Sequence, residues 1–225
     1  MTFSGFTPSD FDTFTIEGLD ERMKAIRERI QPKFKELGEL LCDDLAMMAG
    51  NEMFVHIAKH ARRTVNPPKD TWMAFCHNKR GYKQHPHFQI GLFDDHVFVW
   101  LAFIYELPDK KKIASSFLQH LDDVRRQIPE DYVLSFDHMK KDAVRAGDLD
   151  QEAYEQALVR FRDVKKAELL IGRHFAVHDP VLQDGERFME TAKMIFEQLM
   201  PLYKLAFSPF SLPIGLSLQK KFRLS

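Results

Sequence analysis

Residues 86–106 constrain the fold more than any other part of the chain. Phe88, Ile90 and Leu92 alternate with His87, Gln89 and Gly91, the period-two pattern of a strand with two distinct faces. Asp94-Asp95 interrupts the pattern. The run from His96 to Glu106 is then apolar on both sides, as a central strand is when both faces of its sheet are covered. The two segments predict an antiparallel hairpin inside a sheet. Thr71–Cys76, Tyr132–Phe136 and Glu168–Val177 read as further strands.

Helical periodicity surrounds these strands. Leu19, Met23, Ile26 and Ile30, then Phe34, Leu37, Leu41, Leu45 and Met48, recur at steps of three and four, one stripe of an amphipathic helix. Pro32 inside it predicts a kink, and Gly50 a stop. Thr7-Pro8-Ser9-Asp10 reads as a capped helix start. Asp109 opens a helix with Ile113, Phe117, Leu121 and Val124 inward, ended by Pro129. Asp148 with Gln151 resembles a capping box for a helix that turns Tyr154, Leu158, Phe161 and Val164 inward. A long helix is predicted from Pro180 to Ala206. Residues 52–61 fit a helix or irregular structure. The order of elements predicts an α+β fold, a mostly antiparallel sheet packed with helices. No repeat or linker divides it, so residues 1–207 read as a single domain and residues 208–225 as an extended or frayed tail.

The net charge is −1, so attraction to nucleic acid must come from a local patch. Only Cys42 and Cys76 are present, too few for a disulfide framework and consistent with buried thiols in a reducing compartment. The N-terminus carries no signal-peptide pattern, and the longest apolar stretch, about 97–105, is far short of the ~20 residues of a membrane span. A cytoplasmic protein with no membrane partner is expected. Twenty phenylalanines against five tyrosines predict an aromatic core.

Residues 56–87 carry the functional signal. Five of the ten histidines lie there (His56, His60, His77, His85 and His87), with Lys59, Arg62, Arg63, Lys69, Lys79, Arg80 and Lys83 against one acid, Asp70. Arginine forks grip phosphate or carboxylate, and Gly81 within Lys79-Arg80-Gly81-Tyr82-Lys83 permits a positive φ and close backbone approach. The candidate anion site is Arg62, Arg63, Lys79, Arg80, Lys83, His85 and His87. Arg173, beside His174 at a predicted strand end, joins it if the sheet brings the two together. The bland alternative is a solvated basic surface with arginines paired to Asp43, Asp44 or Asp122. Each histidine would then bond a backbone carbonyl or stack on an aromatic ring.

A metal reading is weaker. His56 and His60 share a helical face, and His85 and His87 a strand face. However, the segment lacks the glutamate of a zinc-protease helix, and its cations oppose another cation. No metal ligand is assigned, and no cofactor is implied. Phosphate-loop, dinucleotide and serine-nucleophile motifs are absent. The residues support a binding module for a phosphorylated small molecule or nucleic acid. The alternatives are an enzyme using histidine acid–base chemistry on an anionic substrate, and a structural or interaction protein without a ligand. Oligomeric state is not legible.

Residues 52–100, with the words KHARRTVNPP, NKRGYK and PHFQIGL, resemble the central block of the YktB-like family of uncharacterised bacterial proteins. Residues 11–39 resemble its N-terminal block. The resemblance spans about 5–205 and implies an α+β fold. It implies no activity and supplies no catalytic residues.

Overall fold

Pro32 sets the shape of the N-terminal helical segment. The computed structural model describes residues 3–207. In it α1 (Pro8–Asp12) leads to α2 (Leu19–Ala25) and α3 (Gln31–Ala49), joined by one wide turn over Ile26–Ile30. There the N–H of Gln31 bonds the carbonyl of Ile26, five residues back. A proline offers no N–H to the carbonyl four residues before it, and a wide turn absorbs the missing bond without ending the helix. Gly50 closes α3 at φ 75°.

The sheet has seven strands: β1 (Phe54–Ile57), β2 (Thr71–Cys76), β3 (His87–Leu92), β4 (His96–Phe103), β5 (Val133–Ser135), β6 (Val144–Arg145) and β7 (Leu169–Ala176). Their order is β1-β2-β3-β4-β7-β5-β6, and every pairing is antiparallel. β4 is therefore central, and β3–β4 is the hairpin that the aspartate pair predicts. Segment 52–61 is not helical: β1 occupies it as an edge strand, and His60 beyond it has φ 49°. The shared helical face of His56 and His60 does not exist.

The remaining helices are α4 (Lys110–Gln119), α5 (Leu121–Gln127), α6 (Gln151–Asp163), α7 (Pro180–Gln183) and α8 (Gly185–Phe207). The two longer predicted helices are each broken once, at His120 and at Asp184. The N-cap of α6 is Asp150, which accepts from the Ala153 N–H at 2.8 Å, rather than Asp148. Val164 lies outside that helix and is half exposed. Removing the Asp150 carboxylate orphans a helix N–H, so Asp150→Ala is expected to cost about 1 kcal/mol. The check is a lowered thermal midpoint that Asp150→Ser largely restores.

Cross-strand partners share a face, and the register sorts the residues into two layers. Met73, Phe75, Phe88, Ile90, Val97, Val99, Leu101 and Ile171 point to one face, where α3 and α8 pack. This core is aromatic: Phe196 meets Phe75 and Phe88 at 5.8 and 4.9 Å, and Phe103 meets Phe117 edge-on at 5.4 Å. The other face holds Trp72, Ala74, Phe98, Trp100, Ala102 and Leu170, with His87 and Gln89. Its cover comes from connecting segments: Ala58, Tyr82 and His138 all pack there. Gly91 and Gly172 lie on this face, and a Cβ at either would overlap Phe98 or Trp100. The two bare backbones let those rings lie flat and stack at 4.2 Å.

Predicted residues 208–225 lie outside the described residues. No helix among the described residues is long and apolar enough to cross a membrane.

Candidate functional site

His87 and Gln89 share a face as their alternation predicts, but that face is neither solvated nor an open cleft. Both side chains are buried, with a linear chain of hydrogen bonds through them. Trp100 Nε1 donates to Gln89 Oε1 at 2.8 Å. The Gln89 amide donates to His87 Nε2 at 2.8 Å. His87 Nδ1 then donates to the carbonyl of His85 at 2.7 Å. The chain runs in one direction only, which fixes a neutral imidazole with its proton on Nδ1. Burial, opposed by the His85 carbonyl, pulls the pKa of His87 down to about 3.

Trp72 is the centre of a second polar group on the same face. Its Nε1 donates to the Tyr82 hydroxyl at 2.8 Å. His60 and His138 meet its ring edge-on at 5.5 and 5.9 Å. The Lys83 amine lies 5.4 Å from the ring centre and 3.9 Å from Glu106. His60, the one non-glycine residue with a positive φ among the described residues, bonds Thr71 Oγ1 at 3.1 Å. Burial, with Arg63 and Lys83 adding to it, pushes its pKa down to about 4. A left-handed backbone in a bulky residue costs energy and collects at functional sites.

Asp70 stands at the start of β2 within this group. It is 1% exposed, and neither carboxylate oxygen has a hydrogen-bond partner among the described residues. Desolvation raises its pKa from 3.8 to about 6, against the opposing pull of His138, Arg63 and Lys83. An unpartnered buried carboxylate is costly, and native structures seldom keep one without a reason.

Beside it, Glu168 holds His138. Glu168 accepts from the His138 backbone N–H at 2.7 Å and from its Nδ1 at 2.8 and 2.9 Å, and from the Tyr105 N–H at 3.3 Å. A carboxylate locked on Nδ1 fixes the ring and leaves Nε2 as its working nitrogen, which has no partner among the described residues. Asp137 also brings a ligand atom within 4.8 Å of both His138 and Glu168. Glu168 is already saturated by donors, so the arrangement is that of a histidine–carboxylate dyad.

The predicted cations divide. Arg63 and Lys83 face the buried group closely enough to shift Asp70 and His60. Arg62, Lys79 and Arg80 are exposed. Lys79 covers Phe54 at 6.0 Å, and Gly81 takes the expected positive φ of 66°. His85 bonds the Asn78 side chain at 3.2 Å, and His56 the Asn78 carbonyl at 3.0 Å. Among the described residues Arg62, Arg63 and Arg80 make no ion pair; Asp44 pairs with Lys193 instead. Arg173 lies opposite Val99, on the helix-covered face, where it pairs with Asp131 at 3.6 Å and covers Phe175. The sheet does not bring it to the others.

Sequence reasoning marks Trp72 and Tyr82 only as rings near the arginines that could stack on bases, and passes over Asp70, His138 and Glu168 as members of a site. The single available signal was Asp70 itself, the lone acid in a basic segment and immediately before an apolar strand. His138 and Glu168 are thirty residues apart and join only because β5 pairs with β7.

The chain matches the family model described as Domain of unknown function (DUF1054) over residues 6–203. It is similar to a UPF0637 protein of Oceanobacillus iheyensis, 59% identical over 203 residues, covering 90% of this chain and 97% of that protein. It is also similar to UPF0637 proteins of Shouchella clausii (57% identical; 92% and 96% covered) and Listeria innocua (49% identical; 92% and 99% covered). With a family model across most of its length and relatives 49–59% identical over 90–92% of it, the chain belongs to the DUF1054/UPF0637 family, the YktB-like family of unknown function.

Proposed function

We propose that this protein binds a small anionic ligand at the Trp72 group and acts on it by proton transfer. Arg63 and Lys83 supply the positive charge, and the His138–Glu168 dyad supplies the acid or base. The observation that carries this reading is Asp70: a buried carboxylate without a partner, next to two cations and an oriented imidazole. A titratable group with a displaced pKa beside a held base is the pattern of a working site. A purely structural cluster gains nothing from an orphaned charge. Asp70 is 1% exposed, so a ligand reaches its carboxylate only when the cover of connecting segments over β2 opens.

The exposed residues Arg62, Lys79 and Arg80 suit the second reading, contact with a phosphate backbone. That contact would be salt-sensitive and indifferent to sequence.

The test is calorimetric titration with phosphate, sulfate and short carboxylates. Arg63→Ala/Lys83→Ala is expected to weaken binding at least tenfold, and Arg62→Ala/Arg80→Ala to leave it unchanged. Unaltered binding in the first double variant would sink the reading. Loss of nucleic-acid binding in the second alone would favour the surface instead.

A further inference from the structure

An anion held between Arg63 and Lys83 would set a second negative charge beside Asp70, which is 1% exposed and has no protein donor among the described residues to support its own. Two like charges in a buried site do not both stay ionised. We infer that an oxyanion entering this site brings a proton with it, and that Asp70 receives that proton. The inference rests on the reading that Arg63 and Lys83 hold an anion, and it specifies how that binding is governed.

The step balances simply. A proton leaves solvent buffer and an O–H bond forms on Asp70; no electrons move. The new O–H then donates to an oxygen of the bound anion. The carboxyl gains the partner that neither oxygen has in the empty site, and the anion gains a donor between two cations. A ligand class follows: compact oxyanions such as phosphate, sulfate or a small carboxylate, whose oxygens accept from several directions at once.

The other groups facing Asp70 are poor receivers. From the segment before β2, His60 has Nε2 engaged by Thr71 and is opposed by Arg63 and Lys83. From the turn before β3, Lys83 is a cation, and Tyr82 keeps its proton, its pKa raised to about 12 by burial. From the segment after β5 comes His138, the one competitor, whose Nε2 is unspent while Glu168 supports the ring. His138 is near enough for its charge to act on Asp70. Asp70 has the stronger demand because its charge is uncompensated, whereas that of Glu168 is shared among several donors.

Sulfate is the probe, because it does not itself titrate near neutral pH. The full chain is titrated calorimetrically with sulfate at several pH values from 6 to 8.5, in PIPES, HEPES and Tris, whose ionisation enthalpies differ. The wild type is expected to take up close to one proton per sulfate at the alkaline end, and its affinity to fall by up to about tenfold per pH unit above pH 6.5. Asp70→Asn is expected to bind sulfate without uptake and with a flat pH profile. Binding by the wild type with no buffer dependence overturns the inference and leaves the anion site standing. Uptake that persists in Asp70→Asn and vanishes in His138→Gln overturns it in favour of His138. No sulfate binding by the wild type at any of these pH values removes both the inference and the reading beneath it.

Discussion

Acidification from pH 7.5 to 4.5 is expected to cost this protein several kcal/mol of stability. Three histidines are responsible, the buried His87 and the half-buried His60 and His174. Burial holds His60 down to about 4, and His87 and His174 down to about 3, against 6.5 for an exposed imidazole. In the folded state they stay neutral where the unfolded chain would bind protons. Their contribution is therefore complete above pH 6.5 and drains away as pH falls toward 4 for His60 and toward 3 for the other two. Each group can lose about 1.4 kcal/mol per pH unit in that window. The structural causes are specific. His87 is tied into the Trp100–Gln89 chain as an acceptor. His174 stacks on His96 at 4.3 Å, and Nε2 of each ring is buried without a partner among the described residues. Urea midpoints measured by fluorescence across this range would show the loss. Replacing His87 by Gln should flatten the curve; a midpoint that holds steady down to pH 4.5 would contradict the assignment.

Asp70→Asn is expected to do the opposite at neutral pH and stabilise the fold, by about 1–3 kcal/mol. The folded-state pKa of Asp70 is raised from 3.8 to about 6, so the folded protein binds the proton more tightly than the unfolded chain does. That favours folding below pH 4, and the advantage is lost as pH climbs through 6. Above that the ionised carboxylate is a net cost of about 3 kcal/mol, part of which an amide still pays because it too lacks partners. The measurement is the thermal midpoint of both proteins at pH 5 and pH 8. The gap should open at pH 8 and shrink at pH 5. A destabilised variant at pH 8 would mean that Asp70 is supported by contacts that stabilise its charge. Stability gained by removing a polar group is the usual mark of a residue kept for function rather than for folding.

Much of the architecture is legible in the sequence because it depends on local periodicity. The alternation of Phe88, Ile90 and Leu92 placed those residues on the core face, and the doubly apolar run after Asp95 placed β4 at the centre of the sheet. The misreadings occur where local signals compete. His56-Ile57-Ala58-Lys59-His60 offers a four-residue spacing that suits a helix, yet pairing with β2 makes an edge strand of it. The aspartates at 148 and 150 both suit an N-cap, but residues 146–148 form a separate short turn and Asp150 caps the helix. Lys110 shows the same limit. It looks like one of three surface lysines, but its amine is buried against the carbonyls of Val164, Lys165 and Ala167 at 2.7–3.0 Å.

Charge counting along the sequence could not sort the cations of the candidate site by direction. It weighted every cation equally, whereas the fold turns only Arg63 and Lys83 toward the buried group and sends Arg173 to the other side of the sheet. The sequence alone determined the central strands, most of the helical segments and which face of each is apolar, since those follow from steps of two and of three to four along the chain. Tertiary structure alone decided that Asp70 is buried without a donor and that His138 meets Glu168. Burial and partnership of charges depend on segments far apart in sequence, and those meet only when the strand order is set.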